Sequence, residues 1–319
     1  MAEVSVPRMR WWGWGDPAHP PGLPPHALGF LAAVIGPAGS PRAPVALEHV
    51  RLEPSALGPS TLDALRALVG AEHVRDDHAE RVLHAAGKGY PDLVRMREGK
   101  PAGAPDAVVL PSDAEQLAAL LEWCAKGSLA VVPFGGGTSV VGGVEPLRGE
   151  HAGVIALDTS RMADVIELDG ESRTVSVGAG MRAPALERYL QARGLTLGHY
   201  PQSYEYVSLG GCAATRSAGQ ASTGYGRIEQ MIVGLKLSAP SGEIALDAQP
   251  ASAAGPSLRQ LLIGSEGTLG VISELALRVR PAPRERIYDG VFFTDFAAGA
   301  QALRELVQSG AAPDVARLS

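Results

Sequence analysis

Between residues 107 and 279, short β-branched runs alternate with stretches whose apolar side chains recur every three to four positions. Ala107-Val108-Val109-Leu110 reads as a strand stopped by Pro111. Ser112 and Glu115 have the spacing of a capping box, and Leu117, Leu120, Leu121 and Cys124 fall on one helical face behind it. Gly127 ends that helix, and Leu129-Ala130-Val131-Val132 is the next strand. Such a strand–helix–strand unit favours parallel pairing. Further strands are expected at 153–157, 163–168 and 174–177, the last two joined through Asp169-Gly170. Pro184 to Arg193 reads as a helix stopped by Gly194. A second hairpin joins 232–237 to 244–246 through Pro240-Ser241-Gly242; a short helix at 258–263 and a strand at 271–279 follow.

The flanks differ in character. Residues 1–55 lack a period and are expected to be irregular, with Trp11, Trp12 and Trp14 clustered ahead of a proline-dense stretch. These aromatics either tack the arm onto the body or line a partner surface; the first is the simpler reading. Residues 61–100 look helical and polar, with Thr61 capping a helix over 62–69 and Gly87, Gly89 and Pro91 interrupting the charged run after it. Beyond Pro283, a strand at 287–293 and a helix at 297–308 are expected. One strand and one helix cannot bury their apolar faces alone, so this tail reads as the opening of a further domain. The organisation expected is an arm and helical region over 1–100, an α/β domain over 101–283 and the start of a second domain over 284–319.

Composition narrows the choices. The 319 residues, 45% hydrophobic and 19% charged, suffice for a large core. A net charge of −6 argues against nucleic acid or an anionic membrane as partner, but loop amides bind phosphate without a basic surface. Cys124 and Cys212 form no metal or disulfide spacing, and the histidines show no ligand pattern, so no metal is expected. The start lacks the pattern of a signal peptide, and the apolar stretch Ala27–Ile35 is too short to span a bilayer. A cytoplasmic protein is expected.

Three segments carry candidate chemistry. In the first, Pro133, Phe134, Gly135, Gly136, Gly137, Thr138 and Ser139 follow a strand. Consecutive glycines let backbone amides converge on one anion, and the two hydroxyls add donors. Val140-Val141-Gly142-Gly143 then makes a poor helix start, which disfavours a nicotinamide-binding Rossmann loop. The second runs from Gly198 to Gly219, includes Gln202, Gly211 and Ala214, and is rich in small residues; it is either a surface loop with a short Ala-rich helix or a close backbone approach to a flat ring, to which Ser203, Ser208, Thr215 and Ser217 could hydrogen-bond. Arg216 is its one charged group in the small-residue run. It either stabilises negative charge near a ring, a catalytic role, or ties the loop down, for instance to Glu205. His199 either donates to substrate or is a satisfied loop histidine. The third holds Glu266, Gly267, Gly270, Val271 and Ile272.

Taken together, the segments resemble the flavin-binding family typified by vanillyl-alcohol oxidase and p-cresol methylhydroxylase. Arg10-Trp11-Trp12-Gly13-Trp14-Gly15 and Thr215-Arg216-Ser217-Ala218-Gly219 point to its alkyldihydroxyacetonephosphate synthase branch. The resemblance implies an α+β fold: a PCMH-type FAD-binding domain of two α/β subdomains, then a ferredoxin-like cap. It implies FAD as cofactor, with 133–139 around the diphosphate, 202–208 and 214–217 lining the cofactor, and 266–272 along its nucleotide and ring. Some members attach flavin through a histidine where Thr138 stands, so non-covalent FAD is expected. The implied reaction exchanges the acyl chain of acyl-dihydroxyacetonephosphate for a fatty alcohol, without net redox change. Acid–base groups are expected in the cap, beyond Ser319. A small-molecule or lipid substrate, peripheral membrane contact and a homodimer are compatible with it. The alternatives are an FAD-linked oxidoreductase for a small 2-hydroxy acid such as glycolate or D-lactate, and a non-catalytic flavin-binding module.

Overall fold

The computed structural model describes residues 9–19, 22–37, 39, 43–249, 251–311 and 313–319. Its first elements are α1 (Pro25–Ile35), α2 (Pro59–Val69), β1 (Val74–Arg75), α3 (His78–Leu83), α4 (Tyr90–Arg97), β2 (Ala107–Val109), α5 (Ala114–Lys126), β3 (Leu129–Phe134) and β4 (Gly153–Asp158). Next come β5 (Val165–Asp169), β6 (Thr174–Gly178), α6 (Ala183–Gln191), β7 (Leu195–Thr196), α7 (Leu209–Ala214), α8 (Ser222–Tyr225) and α9 (Ile228–Met231). The remainder is β8 (Ile232–Ala239), β9 (Gly242–Leu246), α10 (Leu258–Leu262), β10 (Val271–Arg278), β11 (Arg280–Pro281) and α11 (Phe296–Gln308). The chain divides into two compact units, one within 1–109 and 127–157, the other over 110–126 and 158–319.

The first unit is built on a four-stranded sheet in the order β1-β2-β4-β3. The parallel partner of β2 is β4, with Ala107 opposite Ile155 and Val109 opposite Leu157. The strand–helix–strand unit therefore does not pair its own two strands, because β4 lies between β2 and β3. Every residue of β2 and β4 is buried, which explains their unbroken apolar runs. A satellite core of Val50, Val82, Ala85 and Met96 receives Trp11. Trp12 lies between the guanidinium groups of Arg10 and Arg97, 5.2 and 4.7 Å from its ring centre. The aromatic arm is thus tacked onto its unit by packing and cation–π contact.

Prolines misled the sequence reading here. Pro59 and Pro91 sit in the first turns of α2 and α4, where a missing N–H costs nothing. Thr61 consequently lies inside α2, whose cap is Gly58, and Pro91 opens a helix instead of interrupting one. Within the region expected to be irregular, Pro25 likewise opens α1.

The second unit centres on a five-stranded antiparallel sheet in the order β5-β6-β10-β8-β9. Helix α5, which connects β2 to β3 in sequence, belongs to this unit and packs against β8 and β10. Leu186, Leu190, Leu209, Ile228, Leu235, Leu237, Leu275 and Leu277 are among its fully buried core. Cys124 and Cys212 are free and buried, and burial pushes each thiol up to about 12. They act as small apolar residues. The hairpin after β5 is longer than Asp169-Gly170 alone: the Asp169 carboxylate accepts from the amides of Glu171 (2.8 Å) and Ser172 (2.9 Å). The strand expected at 287–293 does not form. No described strand pairs with it, and Ile287, Tyr288, Val291 and Phe292 are exposed. Helix α11 does form, with Asp295 accepting from Ala298 at 2.8 Å.

Helix α5 is capped one residue later than the sequence pattern suggested. Asp113 accepts from the Gln116 amide at 2.9 Å, and the Gln116 side chain accepts from the Ser112 amide at 2.9 Å. The cap is the Asp113 carboxylate, not the Ser112 hydroxyl, and Gln116 rather than Glu115 reaches back to the preceding backbone. Replacing Asp113 by Ala is therefore expected to lower unfolding stability by about 1 kcal/mol, and Ser112→Ala by only a few tenths. Denaturant titration of both variants checks this; equal effects would restore Ser112 as the cap.

Candidate functional site

The glycine loop of the first unit leaves β3 held by one carbonyl, that of Ser139, and with its amides free among the described residues. Among the described residues, the amides of Gly135, Gly136, Gly137, Thr138 and Ser139 donate to no other group of the chain. Five adjacent unpaired donors without an acidic neighbour in 133–140 fit a bound anion. Gly137 has φ +63°, and a Cβ there would lie 2.5 Å from the Phe134 ring, so the turn admits glycine alone. Phe134 is itself buried and packs on His84, with ring centres 4.4 Å apart. Ser139 stabilises the exit: its Oγ accepts from the Gly143 amide at 3.0 Å. Behind the loop, the Ser139 carbonyl accepts from the Lys88 amide at 2.6 Å. A Cβ on Gly87 would come within 2.2 Å of that carbonyl oxygen. The two glycines that looked like interruptions of a charged run are what allow this approach.

In the second unit, the other two segments are stitched to each other. The Gly264 amide donates to Ala213 O (3.0 Å), and the Glu266 amide to Ala214 O (3.1 Å). Arg216 completes the seam. Its Nε donates to Ile263 O (3.0 Å), Nη1 to Gln260 Oε1 (3.1 Å) and Nη2 to Gln260 O (2.5 Å). Arg216 and Glu266 both adopt left-handed backbone, at φ +51° and +48°. A Cβ on Gly264 would strike the Arg216 side chain at 2.7 Å. The guanidinium thus ties the loop down, but to carbonyls; no ion pair with Glu205 appears among the described residues. Gly270 lies against Leu237 and Ser238, and Val271 and Ile272 are buried in the sheet.

Most hydroxyls expected to meet a ring are engaged within the chain. Ser208 caps α7 by accepting from Gly211 at 3.2 Å. Thr215 Oγ1 donates to Gly211 O at 2.9 Å, and Ser217 Oγ meets His199 Nε2 at 3.2 Å. Gln202 and Ser203 keep their side-chain polar groups unengaged among the described residues. Gly210 packs on Ala179 so closely that a Cβ would lie 2.6 Å from the Ala179 side chain. Small residues in this stretch therefore serve close backbone packing first.

Two positioning groups escaped the sequence reading. Glu187 is buried on α6 and accepts from Thr196 Oγ1 (2.5 Å), the Leu197 amide (3.1 Å) and Tyr200 Oη (3.0 Å), fixing the entry to the Gly198–Ser203 segment. The signal was a carboxylate on an otherwise apolar helical face, between Leu186 and Leu190. Tyr225 lies under Gly198, where a Cβ would meet its ring at 2.1 Å. His199 is 2% exposed, and burial drives its pKa down to about 4, so the ring is neutral. Its Nδ1 and the Glu229 Oε2 are both buried without a partner among the described residues.

Residues 105–246 match the family model of an FAD binding domain. The chain is 34% identical over 272 residues to the alkyldihydroxyacetonephosphate synthase of Dictyostelium discoideum, covering 85% of this chain and 44% of that protein. It is 35% identical over 218 residues to the mitochondrial D-lactate dehydrogenase (cytochrome) of Arabidopsis thaliana, covering 68% and 36%. A solved alkyldihydroxyacetonephosphate synthase structure superposes with a TM-score of 0.84 at 30% identity, over 96% of this chain and 61% of that one. The chain thus spans less than two thirds of each of these proteins. Among the described residues, no helix is long and apolar enough to cross a membrane.

Two outcomes follow from the second unit. Replacing Arg216 by Met unties the seam, so the amides of Gly264 and Glu266 should exchange with deuterium at least about tenfold faster, with those of β8 and β10 unchanged. Unaltered exchange at both amides would remove the tie. His199 has a folded pKa below its unfolded value, so the unfolded chain binds the extra proton between about pH 4 and 6.5. Its contribution is complete above pH 6.5 and is lost as pH falls toward 4, by roughly 3 kcal/mol. The stability difference between wild type and His199→Asn should shrink over that interval; a difference independent of pH would contradict the buried neutral ring.

Proposed function

Because the chain belongs to the family of flavoenzymes that share this FAD-binding domain, with FAD as its cofactor, we propose that it is the flavin-binding part of an alkyldihydroxyacetonephosphate synthase-type enzyme. The carrying observation is the likeness to a solved synthase over 96% of the chain at a TM-score of 0.84. The proposed reaction replaces the acyl chain of acyl-dihydroxyacetonephosphate with a fatty alcohol, so the substrates are a lipid phosphate and an alcohol. In the proposed arrangement Pro133–Ser139 hold the diphosphate through backbone amides. Gln202, Ser203, Ser208, Gly211, Ala214, Thr215, Arg216 and Ser217 line the cofactor, and Glu266, Gly267, Gly270, Val271 and Ile272 pack along it. Residues 101–283 are the FAD-binding domain and 284–319 open the cap.

The free amides of 135–139 support this reading, since a diphosphate needs converging donors and no nearby carboxylate. When bound, the flavin supplies an electrophilic ring able to carry a substrate fragment and its electrons. The protein's share is binding, orientation and exclusion of water. Arg216, with its donors committed to Gln260 and Ile263, acts in this reading by holding two cofactor-lining loops together. Thr138 offers no nucleophilic nitrogen for flavin attachment, which supports dissociable FAD. A cytoplasmic location, a homodimer and peripheral membrane contact belong to the same reading and rest on the resemblance alone.

The purified chain is expected to be yellow, and acid precipitation should release its FAD into the supernatant. Anaerobic D-lactate or glycolate should leave the flavin absorption intact. Bleaching by either acid would favour the hydroxy-acid oxidoreductase reading, which the similarity to D-lactate dehydrogenase keeps in view. Colourless protein that takes up no added FAD would overturn both readings.

A further inference from the structure

Lys88 is 7% exposed, an unusual place for an ammonium. Its Nζ donates to the carbonyls of Arg10 (2.8 Å) and Trp11 (3.2 Å). Its own amide donates to Ser139 O at 2.6 Å, at the end of the glycine loop. The residue is flanked by glycines that make this possible, because a Cβ on Gly87 or Gly89 would lie 2.2 Å from Ser139 O or 2.9 Å from Val140 O. The tryptophan turn at the far end of the side chain is closed on itself. The Arg10 amide donates to Gly15 O at 2.9 Å, Arg10 Nη2 donates to Asp16 O at 3.3 Å, and Trp12 is held between two guanidinium groups. One residue therefore joins a rigid turn to the loop with the free amides.

We propose that Lys88 is a positioning residue for the diphosphate loop: its amide holds Ser139 and its ammonium holds the tryptophan turn, so that the loop with the free amides is braced against that turn. The inference rests on the reading of 135–139 as the FAD diphosphate site. Carbonyl dipoles satisfy two of the three ammonium N–H groups but do not cancel the charge. Burial accordingly pulls the Lys88 pKa down to about 8, with no carboxylate holding it up. A methionine would fill the same space without the cost of desolvating a charge. It would, however, leave the carbonyls of Arg10 and Trp11 without the donor that ties the turn to the loop. The same link gives the Arg10–Asp16 turn a task beyond surface packing, since it fixes where the ammonium sits.

The test uses the whole chain, stripped of flavin and titrated with FAD by fluorescence quenching. Lys88→Met is expected to weaken FAD binding at least tenfold while the thermal midpoint of the apoprotein stays within a few degrees, and Lys88→Arg to restore part of the affinity. Trp12→Ala, which loosens the turn without touching Lys88, should also weaken FAD binding, and its combination with Lys88→Met should fall short of the product of the single effects. Should Lys88→Met fail to fold, the weakening caused by Trp12→Ala, with the apoprotein still folded, carries the test. Wild-type FAD affinity in folded Lys88→Met or, where that variant is lost, in Trp12→Ala would overturn the proposal and leave the FAD reading standing. A wild-type chain that takes up no FAD would remove that reading and the proposal with it.

Discussion

The molecule depends on close approach of backbone to backbone at positions where no Cβ fits. In the first unit the contact between Ser139 O and the Lys88 amide, at 2.6 Å, requires glycine at 87 and 89. It holds the glycine loop by a carbonyl and leaves the amides of 135–139 unused. An amide that the fold does not satisfy is a cost in isolation and a binding group when an anion arrives. In the proposed reading the loop is held in its binding shape before an anion arrives, which limits the ordering entropy that binding must overcome.

The second unit repeats the principle with different chemistry. Gly180 crosses the Thr159 carbonyl so closely that a Cβ would lie 1.8 Å from it, and Gly210 seats α7 on Ala179. Upon that platform the 213–217 and 260–266 segments are sewn together by two amide–carbonyl bonds and one arginine. Glu187 does the same for 196–200 with a carboxylate that accepts from two hydroxyls and an amide. Charged groups here act through geometry. Arg216 and Glu187 spread their charge over hydrogen bonds to neutral partners, and neither has an ion pair among the described residues.

Legibility from sequence followed the range of the interactions. Periodicity located most of the regular elements from 107 to 279 because it reports burial of one face, a local property of consecutive residues. Strand order was hidden, since the insertion of β4 beside β2 is a long-range pairing. The strand expected at 287–293 failed for the same reason: apolar alternation describes a strand only where a neighbour exists to pair with it. Pro91 was read as a break, and Thr61 as a cap where Pro59 already opens the helix, although the first helical turn tolerates proline. At the site, the glycine loop was visible because three adjacent glycines have few structural uses. Glu187, Lys88 and Tyr225 were not, because a lone polar or aromatic side chain gains its meaning from a partner far away in sequence.

The hydroxyl-rich stretch from Ser203 to Ser217 shows where composition misdirects. Four hydroxyls near a flat ring suggest four hydrogen bonds to it, yet Ser208, Thr215 and Ser217 spend theirs on Gly211 and His199. Short helices explain the choice. Helix α7 has six residues, too few to satisfy its own termini, so the side chains around it cap the ends. What remains for a ligand is the main chain itself, brought near by glycine and alanine, together with the unengaged groups of Gln202 and Ser203. A ring recognised chiefly by backbone is recognised by shape, and shape is fixed by the crossings at Gly180, Gly210 and Gly264 more than by any polar side chain. In the proposed cofactor-lining segments of this chain, small residues are thus better read as the means of close approach than as the source of hydrogen bonds.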